Sequence, residues 1–323
     1  MDNLTHTLTG LVLSRAGLNR ISPHATLLLV LAVNAADLDV AAGLAGPAAY
    51  LHNHRGPLHS LVAMPLLALL VVALVRLLVR KRLSWPRACL VSLVGVASNP
   101  LFDYANTYGV KLLWPFSPRW MHADFIPILD PWILVLLAAA LFLPWILGLV
   151  SSDIGAKKGT GRGMAVFVLC VIALYGFGRY LLHDRAVAML DSRLYQGQAP
   201  LRVGAFPTLG NPFRWTGVIE GREFFQVLPD LNLLAEFDPS GGAVYYKPEA
   251  RPEMDKARGT EAFTVFLEFS QWTLWRVAPA PDPENGVQVE ALDLRFGTPE
   301  QPHFTARAIF DGSGHLLTSA LRF

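Results

Sequence analysis

Long apolar runs broken by short polar stretches fill the first 182 residues, and then the pattern changes. The run 61–75 is uncharged and continues to 79; 131–150 holds twenty residues without a charge; 164–178 extends to about 182. A helix needs about 20 apolar residues to cross the hydrocarbon core, and these three predict spans. The runs 88–102 and 25–36 are shorter, and 4–18 is the weakest, fit for a re-entrant or interfacial helix. Beyond 182 the stretches 218–227, 243–246, 263–275, 288–296 and 303–310 are rich in Val, Phe, Tyr, Trp and Thr. Turn sequences at 239–242, 284–286 and 311–314 separate them, which predicts a small β-rich domain. Apolar spacing over 185–194 suits a helix, so 183–200 reads as a helical or extended linker. The expected fold is therefore an α-helical integral membrane domain over 1–182, with about six helices, followed by a β-rich domain over 183–323.

Charge sharpens this division. Residues 1–182 carry 14 Lys/Arg and 7 acids, all Asp; residues 183–323 carry 13 basic and 18 acidic residues. No Lys/Arg stripe carries interleaved aromatics, which sets nucleic-acid binding aside. Cys89 and Cys170 lie in apolar runs and read as small core residues rather than a disulfide or a metal motif. The N-terminus lacks the basic region of a signal peptide.

Basic loops orient membrane helices. Arg15 and Arg20, then Arg76, Arg80, Lys81, Arg82 and Arg87, then Lys157, Lys158 and Arg162 mark three turns. Placing all three in the cytoplasm requires six crossings, over 4–18, 24–42, 59–79, 87–105, 131–150 and 163–182, with both termini and the β-rich domain outside. That assignment uses only Lys and Arg, yet it gathers most other polar residues on the outer side. His6, Asp37, Asp39, His52, His54, His59, Asp103, Asn106, His122, Asp124 and Asp130 fall there, leaving His24 and Asp153 opposite.

Such residues at membrane helix ends are costly to keep without a purpose. Asp37 and Asp39 place two carboxylates close together, a conflict that a divalent cation relieves. His54 and His59 are five apart and converge if Gly56-Pro57 bends the chain between them. Imidazole suits zinc, iron, nickel and manganese. His6 follows Asp2 by four residues, so Asp2 is expected to orient its ring as a second-shell partner. Asp103 and Asn106 share a helix face, and Asn99-Pro100 just before them is expected to bend the helix. Asp130 is a further candidate for substrate or second-shell contact. The bland alternative throughout is polar helix ends and interfacial histidines, which is the reading kept for His52, Asp153, His183, His303 and His315. No Gly-x-Ser-x-Gly, phosphate loop or His-Glu-x-x-His occurs.

Four motifs taken together resemble one family: Met1-Asp2-x-x-Thr5-His6-x-x-x-Gly10, Asp37-x-Asp39, His54-Arg55-Gly56-x-x-His59-Ser60 and Asp103-x-x-Asn106-Thr107-Tyr108-Gly109. They look like the predicted membrane-bound metal-dependent hydrolases, which include LexA-regulated inner-membrane proteins. The resemblance covers about 1–182, and Asn211-Pro212-Phe213-x-Trp215 looks like the entry to the outer domain of longer members. It implies a bacterial inner-membrane location, hydrolase activity, and ligands at His6, Asp37, Asp39, His54, His59 and Asp103. Pro57-Leu58 departs from the Thr that many members carry before the second His.

The reading that combines these is a multi-pass hydrolase with a divalent metal at the outer leaflet, zinc first and manganese or iron next. Six ligands exceed a four-coordinate zinc, so a second metal binds or one carboxylate, Asp39 or Asp103, acts as general base. Arg55 would hold the developing anion. A site at the bilayer edge implies a lipid or lipid-linked (phospho)ester substrate. The rivals are a divalent-cation transporter or an envelope scaffold; a transporter keeps its ligands near the midplane, whereas these lie at helix ends.

Overall fold

The computed structural model describes residues 1–80, 83–153 and 160–323, with the backbone alone for 149–153. Lys81, Arg82, Lys157, Lys158 and the Asp153 side chain, used above, lie outside the described residues. The chain divides into two compact units. The first comprises 1–39, 55–182 and 209–212; the second comprises 40–54, 183–208 and 213–323. The expected boundary at 182 thus acquires two exchanged segments.

The first unit is helical: α1 (Asn3–Ala16), α2 (Ala25–Val33), then α4 (Ala63–Val79), α5 (Trp85–Ala105) and α6 (Pro131–Asp153), with most of α7 (Arg162–Asp191). The short α3 (Pro47–Asn53) belongs to the second unit. Asp2 caps α1, its carboxylate accepting from the Thr5 amide at 2.9 Å and the Thr5 hydroxyl at 2.6 Å. Asparagines close three helices in one way. Asn34, Asn53 and Asn106 each donate their side-chain amide to the carbonyl four residues back, the acceptor a further helical turn would use. The run expected as one helix over 24–42 therefore breaks after Val33 into a 3-10 helix, Ala36–Ala45, bent by 41° from α2. Likewise the expected 59–79 element is a turn ending at His59 followed by α4, bent by 81° from the segment before it. Helix α5 carries Pro100 within it, without a break in the helix at that point.

Three helices among the described residues are long and apolar enough to cross a membrane: Trp85–Ala105, Pro131–Gly148 and Arg162–Asp191. Counting each of the two bent pairs as one span gives up to five candidates. The 14 residues of α1 span about 21 Å, short of the roughly 30 Å hydrocarbon core. Helices α2, α4 and α5 share a core of Leu28, Leu29, Ala32, Val71, Val72, Val75, Ala88 and Val91. Gly95 lets α5 approach α2 closely: a Cβ there would lie 2.8 Å from the Ala32 Cβ.

The second unit holds two four-stranded antiparallel sheets, β1 (Arg202–Pro207), β2 (Arg214–Glu220), β3 (Phe224–Asn232) and β4 (Ala243–Tyr246), then β5 (Thr273–Pro279), β6 (Val287–Asp293), β7 (Thr305–Phe310) and β8 (Leu316–Arg322). Each runs in sequence order. Phe206, Val218, Phe225 and Val227 of one sheet meet Leu274 and Leu292 of the other, with Trp272 just before β5, in a single core. Two expected strands are corrected. The stretch 218–227 is a hairpin turned at Gly221, and 263–275 begins as a helix, α9 (Glu261–Phe269), which follows the shorter α8 (Pro252–Arg258). Phe263, Phe266 and Phe269 form the buried stripe of α9, and the Thr260 side chain caps it. Cys89 and Cys170 are both free, and Cys170 is exposed rather than in the core.

Candidate metal centre

The interruptions in the helices of the first unit build a buried polar cluster. The Asn34 stop places Asp37 and Asp39 at the start of the 3-10 helix. Asp103 lies in the last turn of α5, and His6 in the first turns of α1. His59 ends the turn Pro57–His59. His6, His59 and Asp103 are fully buried, and the Asp37 side chain is 11% exposed.

Ligand atoms of His6, Asp37 and Asp103 all lie within 4.8 Å of one another. His59 Nε2 lies 3.4 Å from Asp37 Oδ1 and 3.3 Å from Asp103 Oδ2. His6 Nε2 is 4.0 Å from Asp103 Oδ1. Tetrahedral ligands about 2.0–2.1 Å from a zinc ion stand about 3.3–3.4 Å apart; the two His59 separations match that spacing, and they equally match an imidazole ion-paired with two carboxylates. On its other side, His59 Nδ1 is 3.1 Å from Asp39 Oδ2. That is the arrangement in which a carboxylate fixes the tautomer and orientation of a ligating imidazole.

A second layer holds these side chains. Asn99, fully buried in α5, donates to the Val33 carbonyl at 2.9 Å and to Asp37 Oδ2 at 3.0 Å. Arg55 has a left-handed backbone, φ 53°, a conformation that costs a non-glycine residue about 1–3 kcal/mol. Its amide donates to Asp39 Oδ2 at 2.7 Å, and its guanidinium meets Asp103 Oδ1 at 3.1 Å and Asn106 Oδ1 at 3.1 Å. The guanidinium also covers the Tyr108 ring at 4.7 Å. The Met1 amino group pairs with Asp103 Oδ1 as well. Asn106 Oδ1 further accepts the amides of Tyr108, at 2.9 Å, and Gly109, at 3.3 Å. Gly109, at φ 85°, leaves room where a Cβ would lie 2.9 Å from the Met121 carbonyl oxygen.

The structure thus brings His6, Asp37, Asp39, His59, Asp103, Arg55 and Asn106 together. Several expected roles change. Asp2 spends its carboxylate on Thr5 and makes no hydrogen bond to His6, whose two ring nitrogens have no hydrogen-bond partner among the described residues. Asp130 caps α6 through the Trp132 and Ile133 amides, at 2.9 and 3.2 Å, and accepts the Tyr175 hydroxyl at 2.9 Å; none of these contacts is to the cluster. Arg55 is buried and committed to Asp103 and Asn106 instead of being presented to an anion. His54 belongs to the second unit, its ring stacked on Tyr50 at 4.6 Å. His122 pairs with Asp124 at 2.7 Å in the segment after α5. Asn99 stands in the sequence only as the neighbour of Pro100, and its place inside an apolar span is the signal of its role.

No solved structure matches the chain. It is 29% identical over 158 residues to the uncharacterized protein YfhP of Bacillus subtilis (strain 168), covering 46% of this chain and 47% of that one. The chain thus matches about half the length of that curated relative. A wider stretch, residues 1–186 with all seven residues of the cluster, matches the profile described as YdjM inner membrane protein, and the chain belongs to that family.

Proposed function

We propose that the protein is a metal-dependent hydrolase of the inner membrane that acts on a lipid or lipid-linked (phospho)ester at the outer leaflet. His6, Asp37 and His59 are the proposed ligands, and the reading does not depend on His54. The observation that carries it is His6: a fully buried imidazole with no hydrogen bond at either nitrogen among the described residues, 4.0 Å from a carboxylate. A protonated His59 among three aspartates would account for a metal-free ion-pair network, and so for a scaffold. It would leave His6 without a purpose, since burying an unsatisfied polar group costs free energy.

A bound divalent metal supplies Lewis acidity and lowers the pKa of water to about 7. The protein's own groups do the rest. Asp39 orients His59, Asn99 orients Asp37, and Arg55 ties Asp103 to Asn106. With His6, Asp37 and His59 holding a tetrahedral metal, one position stays open for water, and Asp103 serves as the general base for that water rather than as a fourth ligand. The basic flanks Arg15, Arg20, Arg76, Arg80 and Arg87 favour a cytoplasmic position for the opposite helix ends. That orientation puts the cluster and the two sheets outside, with α1 entering the bilayer as a sixth, short element.

The test is metal content and esterase activity of the detergent-purified full chain, with a fluorescent phospholipid ester as probe. Wild type should carry stoichiometric zinc, manganese or iron and hydrolyse the probe until a chelator is added. His59→Ala and His6→Ala should lose both. Metal-free wild type with no chelator-sensitive turnover would sink the proposal.

A further inference from the structure

At the end of α1 far from His6 lies a cavity of about 570 Å³, walled by Leu11, Leu141, Phe142 and Trp145, with Arg15 and Thr26 among its polar residues. Arg15 is the charged residue among those lining it. Pro144 has no amide hydrogen, so the Ala140 carbonyl four residues back loses its helical donor. Arg15 Nη1 supplies one, at 3.3 Å from the Ala140 oxygen and 2.6 Å from the Leu141 oxygen. Arg15 Nε and Nη2 make no hydrogen bond among the described residues, and no ion pair there involves Arg15. Ser14 and Thr26 pair with each other at 2.6 Å. Phe142 and Trp145 are about three-fifths exposed, on a helix apolar enough to lie in lipid.

We propose that this crevice binds one anionic phospholipid, its phosphodiester on Arg15 and an acyl chain along Leu11, Leu141, Phe142 and Trp145. The match is of charge and polarity. Arg15, with Nε and Nη2 unbonded among the described residues, stands at the edge of apolar walls in a membrane protein, and no acid is among the described lining residues. Basic pockets between membrane helices select anionic headgroups for this reason, and the guanidinium plane suits phosphate oxygens. The site is independent of the metal reading.

Native mass spectrometry of the full chain, released from mixed phosphatidylglycerol and phosphatidylcholine nanodiscs, tests it. Wild type should retain one phosphatidylglycerol in preference to phosphatidylcholine, and Arg15→Gln should lower that retention by about tenfold. Arg15 also supports α6, so Leu11→Trp serves as the second variant. It fills the crevice, leaves the Arg15 bonds in place, and should lower retention equally. Arg15→Lys should keep the preference for the anionic lipid. Equal retention of the two lipids by wild type, full retention in Leu11→Trp, or displacement by inorganic phosphate would each overturn the assignment.

Discussion

Asn99→Leu separates a positioning role from a merely structural one. The substitution keeps approximate volume and removes two hydrogen bonds, to the Val33 carbonyl at 2.9 Å and to Asp37 Oδ2 at 3.0 Å. A neutral bond of this kind contributes about 1 kcal/mol and one to a carboxylate about 1.5–3 kcal/mol. The metal-free fold should therefore weaken by about 3 kcal/mol, less what the leucine regains by apolar burial. The second effect is on Asp37. Without Asn99 its carboxylate is free to turn, and loss of such an outer partner costs about 10–100-fold in metal affinity, or about 1.4–2.7 kcal/mol. The assay is zinc affinity by competition with a chromophoric chelator, alongside thermal unfolding of the metal-free protein in the same detergent. A variant with a lowered unfolding temperature but wild-type zinc affinity would refute the claim that Asn99 aims Asp37 at a metal.

Three more outcomes follow from particular contacts. His6→Leu should abolish or sharply weaken metal binding while leaving the metal-free protein at least as heat-stable as wild type, because both His6 nitrogens are unsatisfied; a clear drop in metal-free stability would mean the ring has another partner. Arg295→Met should destabilise the second unit by about 3–5 kcal/mol in chemical denaturation, because it strands the buried Asp293 carboxylate that Arg295 meets at 2.7 Å; a neutral result would show that Asp293 reaches water. Burial pushes the Tyr195 hydroxyl, which donates to the Leu190 carbonyl at 2.9 Å, up to about 12 from the usual 10. The folded state thus holds that proton more tightly, so this contribution is complete below pH 10 and is lost as pH rises toward 12. An ultraviolet titration compared with Tyr195→Phe should show one tyrosine ionising late.

The apolar runs and the aspartates and histidines between them were legible because both follow from composition at fixed spacing. Much less could be read of which group each polar side chain serves. Asp2 and His6 stand four apart, a spacing that fits an acid–imidazole pair, but an Asp at a helix start turns toward the amide three residues on. Arg55 carries a charge suited to anions, yet its burial against Asp103 shows only in three dimensions. Helix α9 was hidden because Phe, Val and Thr favour strands, although Phe263, Phe266 and Phe269 recur at a helical spacing and Thr260 begins the element. The hairpin at Gly221 was concealed within one apolar stretch. Asn34 and Asn99 look alike in the sequence. One ends a helix by taking its own i−4 carbonyl, and the other reaches across to α2 and Asp37.

The segment 40–54 sits between parts of the helical unit in sequence but belongs with the sheets. Its helix α3 packs against α9 and β8, and Tyr50 meets Phe323 with ring centroids 5.8 Å apart. During synthesis, then, an early loop emerges with its partners still untranslated, and it must wait for β8 before it can settle. A chain cut anywhere upstream of β8 would leave Pro47–Asn53 without part of the surface it packs against.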